Sequence, residues 1–335
     1  MMRIKTMVLT FVLTALAVGT KAQGPNNSGI YYSGADGKKG AALKTALCAV
    51  INPHTQRTYK QLWTDFMSTD AKPNGKVWDM YSIKRDFTFG TDQAGNYSKE
   101  GDVYNREHSF PKSWFDDESP MYTDLFHLYP TDGWVNNKRG NDPFGEVAPG
   151  YSASYNEFSK WGSARSGLGY SGNVFEPNDE YKGDFARTYF YMVTCYENYA
   201  SGAKHISSWV SPMLDGNLYP GLSEWALEML MRWAKEDPVS EKELNRNNAV
   251  YDIQSNRNPF IDYPGLEEYI WGSKKEVAFS YDNYDAPASV PFIFVETVPY
   301  GNDAPLYNTA GQRVSGTHLK PGLYIRNGKK ILIRK

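Results

Sequence analysis

The sequence predicts an α+β fold. Apolar residues recur at helical spacing between residues 184 and 255. Short extended pieces broken by Gly, Pro and Asn fill residues 102–150, and apolar and polar residues alternate from Leu306 onward.

Each element has a local reason. Residues 23–40, rich in Gly, Asn, Ser and Tyr, form an entry segment. Leu43, Leu47, Val50 and Ile51 predict a helix over 41–51, stopped by Asn52-Pro53. A second short helix is expected over 58–67 and a strand over 76–82. Between 102 and 150 the polar residues sit on loops and strand ends, with a short helix starting near Trp134. Residues 150–181 read as loop. Residues 184–199, almost continuously apolar or aromatic, predict a central buried helix. Residues 223–235 form another, ended by Asp237-Pro238. Ser240-x-x-Glu243 is a capping box opening a third helix to about Ser255, and Asn258-Pro259-Phe260 closes the region.

The ends read differently. Residues 1–22 have a basic start (Arg3, Lys5), an apolar stretch and a small-residue cleavage site, the pattern of a secretory signal. That stretch is too short to span a bilayer, so no membrane span is expected. Residues 23–274 form the main domain and 275–300, with three prolines, a linker. Residues 301–335 form a small β module with turns at Ala310-Gly311, Pro321-Gly322 and Asn327-Gly328.

Hydrophobic residues make up 41% of the chain and aromatic ones 15%, enough for a large core. Removal of residues 1–22 leaves 33 basic residues against 38 acidic, a net charge of about −5. Attraction of a polyanion must then come from a local basic patch or a bound metal. Cys48 and Cys195 fit either a disulfide or two buried thiols. Neither lies in a CxxC pattern, and there is no HExxH, which argues against thiolate or zinc-peptidase chemistry.

Residues 104–141 carry the chemistry. Tyr104-Asn105-Arg106-Glu107-His108-Ser109-Phe110-Pro111-Lys112 is followed by Asp124-Leu125-Phe126-His127-Leu128-Tyr129-Pro130 and Asn136-Asn137-Lys138-Arg139-Gly140-Asn141. Hard oxygens suit Mg²⁺ (or Mn²⁺ or Ca²⁺), a neutral imidazole accepts a proton near pH 7, and guanidinium groups suit phosphate. His108 is the candidate base and Glu107 and Asn136 the metal ligands. Arg139 is placed beside His108 as a catalytic candidate but equally fits a cap on loop carbonyls, and Arg106, Lys112, His127 and Asn141 are secondary candidates. His127, framed by apolar neighbours, also fits a core position. Adjacent strand residues face opposite ways, so Glu107 and His108 can share a site only at a strand end or bulge.

These motifs, with Ala186–Met192 and the run Asn256-Arg257-Asn258-Pro259-Phe260, resemble the bacterial endonuclease I family across roughly residues 31–271. The resemblance implies a ββα-metal (His-Me finger) core and an exported, nonspecific, Mg²⁺-dependent endonuclease acting on DNA, with RNA as a further substrate. It gives His108 as base and Glu107 and Asn136 as ligands; Arg139 and Asn141 match the family's RGN segment. Some relatives carry an inserted arginine that contacts the scissile phosphate. Only residues 109–123 intervene here, leaving Arg106, Lys112 or Arg139 to substitute. The tail from Pro305 resembles a type IX secretion sorting domain, implying contact with a secretion machinery and a secreted or cell-surface location; if it is instead an ordinary β appendage, the protein is periplasmic. In either case a monomer is expected. A secreted glycan- or surface-polymer-binding protein built on its 25 tyrosines is the alternative from another class.

Overall fold

The computed structural model describes residues 23–197 and 208–284 and four short strands between 306 and 333. The secretory signal expected over 1–22 lies outside the described residues. Eight helices and three small antiparallel sheets in the described residues make the protein α+β, as expected.

Helix α4 (Lys182–Cys195) is the axis of the core, buried from Gly183 to Cys195. Apart from Lys182, Asp184 and Arg187 near its start it is apolar, aromatic or small on every face and must be enclosed, and α1 (Gly40–Ile51), α5 (Glu224–Glu236) and α7 (Pro259–Asp262) pack around it. Gly183 is required at one approach: a Cβ there would meet the Asp237 carbonyl at 1.9 Å.

Helix α6 (Glu241–Gln254) opens with both halves of the expected capping box and ends at Ser255 in the left-handed conformation. It is tied inward by charge rather than by apolar area. Lys242 meets Asp184 at 2.6 Å, and Glu243 takes Arg187 of α4. Arg246 meets Asp70, beyond α2 (Leu62–Thr69), and also donates to the Leu125 and Leu128 carbonyls. Asn258 caps α7 rather than ending a helix, and α8 (Leu266–Ile270) follows.

Two segments differ from expectation. Residues 76–82 form no strand. Pairing stops after a single bridge at Val77, because Asp79 accepts from the Tyr81 and Ser82 amides and the backbone turns there. Residues 150–181 are not all loop, since β3 (Ser152–Ala153), β4 (Lys160–Ser163) and β5 (Asn173–Glu176) form a sheet in the order β3-β4-β5. Its strands are only two to four residues long, too short to show the period-2 pattern.

Cys48 and Cys195 are buried and not bridged. Residues 275–284, read as the start of a linker, pack on the core. Phe279 is buried and Tyr284 donates to the Pro264 carbonyl. The remainder of that stretch lies outside the described residues. The terminal strands β6 (Leu306–Asn308), β7 (Arg313–Val314), β8 (Gly322–Arg326) and β9 (Lys329–Ile333) form an antiparallel sheet in the order β7-β6-β8-β9.

Candidate active site

The candidate residues gather on one β-β-α unit. Strand β1 (Tyr104–His108) pairs antiparallel with β2 (Leu128–Asp132), and the chain passes directly into α3 (Gly133–Arg139). Asp132 makes that junction: its carboxylate caps the Trp134 and Val135 amides while its second oxygen takes the Gly101 amide. Gly140, at φ 57°, ends the helix in a conformation glycine adopts without penalty.

Strand alternation and helix spacing fix which side chains meet. Asn105 and Glu107 share one face of β1, and Asn136 and Arg139 share one face of α3. The two faces meet in matched pairs. Asn136 Nδ2 donates to Asn105 Oδ1 at 2.7 Å, and Arg139 Nη1 donates to Glu107 Oε1 at 2.7 Å. The first contact turns the Asn136 amide oxygen away from Asn105. Tyr81 also donates to Glu107 Oε1, so neither Tyr81 nor Arg139 occupies Oε2.

Arg139 stands behind this face rather than on it. It is buried, and its guanidinium also donates to the His108 and Ser109 carbonyls. Burial lowers its pKa, but the neighbouring Tyr81 and Glu107 outweigh that and hold it above the usual value. Burial raises the pKa of Glu107, while Arg139 and Tyr81 act in the opposite direction.

His108 is the last residue of β1, with regular register to Leu128 and no bulge. It lies on the opposite face from Glu107, with its ring 6.1 Å from that of Tyr59, over which Arg106 also sits. The end of β1 is thus flanked by an imidazole on one side and oxygen donors on the other. His108 Nε2 lies 3.0 Å from the Tyr122 carbonyl, which can only accept, so Nε2 carries the proton and Nδ1 the lone pair. Burial, then the adjacent His127, pushes its pKa down to about 3.

The secondary candidates separate. His127 is fully buried, its Nε2 2.6 Å from the Met121 carbonyl and its ring 5.5 Å from that of His108, so it packs behind His108. Lys112 pairs with Asp117 at 2.6 Å and lies 5.5 Å from the Tyr122 ring. Arg106 shares the His108 flank. Asn141 is exposed in the turn after α3. Sequence reasoning missed Tyr81 and Asn105 as partners of the oxygen donors and the Tyr122 carbonyl as the fixer of the His108 tautomer. Asn105 was readable in principle, two residues before Glu107 on the same strand face.

A carboxylate oxygen and a neutral amide oxygen between β1 and α3 are donors that suit a hard divalent cation. A neutral imidazole across the strand end adds a base. Hard-oxygen donors beside a neutral base suit the nucleases among hydrolases. More closely, the chain belongs to the Endonuclease I family, whose model matches residues 39–265. It is 36% identical over 247 residues to an extracellular ribonuclease of Bacillus amyloliquefaciens, covering 72% of this chain and 78% of that protein. It is 33% identical to the extracellular ribonuclease of Bacillus subtilis (strain 168), with the same coverages. An endonuclease-1 of Buchnera aphidicola subsp. Acyrthosiphon pisum (strain APS) shares 27% over 42% of this chain and 44% of its own length.

Proposed function

We propose that the protein is an exported endonuclease that hydrolyses phosphodiester bonds of both DNA and RNA with one divalent metal. The observation that carries the mechanism is the His108–Tyr122 contact. A carbonyl fixes the proton on Nε2, so Nδ1 is available to take a proton from water at any pH well above 3.

Glu107 and Asn136 would hold the metal, Mg²⁺ or alternatively Mn²⁺ or Ca²⁺. Bound there, it would neutralise developing charge on the phosphoryl oxygens. Glu107 is oriented by Arg139 and Tyr81, and Asn136 by Asn105. Arg139 is therefore assigned to positioning, not to substrate contact. Phosphate contacts carry no sequence information, which supports broad substrate use, and the relatives' names, ribonuclease and endonuclease, point the same way.

Export fits residues 1–22 as a leader, and the Bacillus relatives are named extracellular. No described helix is long and apolar enough to cross a membrane. Residues 23–274 are assigned as the nuclease domain, 275–300 as the connection, and 301–335 as an address read by a secretion machinery, with the enzyme acting as a monomer. Of the 25 tyrosines that suggested a glycan surface, ten are buried among the described residues, Tyr81, Tyr189, Tyr191 and Tyr263 among them.

The test is plasmid and RNA digestion with Mg²⁺, Mn²⁺, Ca²⁺ or EDTA. EDTA should abolish cleavage, and His108→Ala should lower turnover by about 10²–10⁴. A His108→Ala protein that cuts at the parental rate would refute the assignment.

A further inference from the structure

Arg106 stands apart from the other arginines. Every other arginine whose side chain is among the described residues meets a carboxylate: Arg57, Arg85, Arg139, Arg165, Arg187, Arg232, Arg246 and Arg257 all do. Arg106 meets none. It is half-buried, its guanidinium carbon 3.5 Å from the Tyr59 ring centroid and 4.2 Å from that of Trp63. Its Nη1 donates to the Tyr59 carbonyl at 2.6 Å, and its Nε is buried with no hydrogen-bond partner. A guanidinium has five donors in a planar fork suited to phosphate, and partial burial of a cation without a counter-anion is unfavourable. Those free donors suit an anion.

Its place supplies the occupant. Arg106 and His108 are two residues apart on one face of β1 and share Tyr59. That separation along a strand is about 6.7 Å, of the order of the step between successive phosphates in a nucleic-acid strand. Lys112 lies on the same flank, and Tyr59 feels both cations. In a net-negative protein this is a local basic patch beside the candidate base.

We propose that Arg106 binds the phosphate adjacent to the one cleaved, so that the substrate backbone runs along the His108 flank of β1. This rests on the nuclease reading of the site. The contacted phosphate does not react, so the interaction is equal in ground and transition states and acts on affinity. Arg106→Gln therefore raises KM about tenfold and leaves kcat within about twofold.

Binding is read separately from catalysis by titrating fluorescein-labelled DNA and RNA strands into the His108→Ala protein in EDTA at several salt concentrations. Adding Arg106→Gln should weaken binding about tenfold at low salt and reduce the slope of log K against log salt by about 0.7 for single strands. Arg106→Lys should keep the slope while losing part of the affinity, which separates charge from packing against Tyr59. Arg85→Gln, held by Asp92 on the surface, is the control and should leave KM unchanged. An unchanged slope and KM in Arg106→Gln overturns the proposal, as does a fall in kcat at constant KM. Parental activity in His108→Ala sinks the site reading instead, while the salt slope still reports on Arg106.

Discussion

At the scale of single residues, the Glu107–Arg139 pair shows how a buried charge serves a surface site. Removing only the guanidinium, as in Arg139→Met, leaves a buried carboxylate unpaired and should cost about 3–5 kcal/mol in urea unfolding. The double change Glu107→Gln/Arg139→Met should recover most of that stability yet remain inactive, because the anionic oxygen is gone. Recovery of activity in the double variant would refute the metal-ligand role of Glu107. His108 sets a pH signature. Its folded pKa of about 3 lies below the ordinary 6.5 of the unfolded chain, so the unfolded state takes up the proton first. Its contribution to stability is complete above pH 6.5 and is lost as pH falls toward 3. His108→Asn should flatten the stability curve across that window. Likewise, kcat/KM of the parent should show no histidine limb near pH 6.5.

At the scale of elements, the junction between β2 and α3 decides where Asn136 points. Asp132→Ala removes the cap and the tie to Gly101, with an expected loss of about 1–2 kcal/mol by thermal melting and a larger fall in activity as α3 shifts on β1. Asp79, whose carboxylate accepts from the Asp132 amide, gives the opposite pH trend to His108. Burial raises its pKa to about 8, so the folded state holds a proton that the unfolded state releases above about 4. Stability from this group is full below pH 4 and declines until pH 8. Asp79→Asn should abolish that decline. The long helices were legible because α4 and α6 carry dense apolar spacing and a capping box. The candidate site was legible as a set of residues, because Glu107, His108 and Asn136 fall within one short stretch. Its geometry was not. Tyr81 reaches Glu107 from a turn that looked like a strand, and the proton position on His108 depends on the carbonyl of Tyr122. No side-chain pattern encodes where a backbone carbonyl points.

At the scale of the whole molecule, the enzyme domain is closed off by its own C-terminal stretch. Phe279 and Tyr284 pack on the core, so ending the chain at Tyr284 should leave nuclease activity and melting temperature near those of the full chain. Ending it before Phe279 should lower the melting temperature. The same change at Tyr284 should alter where the protein is delivered, measured by cell fractionation, if the tail is an address. Arg246 carries a further consequence. A two-stranded sheet is marginal by itself, and this one is held by a guanidinium from α6 that takes the carbonyls on either side of His127. The β-β-α unit is therefore not a portable cassette. Transplanted alone into another scaffold, residues 101–142 would lack the distant helix that sets their spacing.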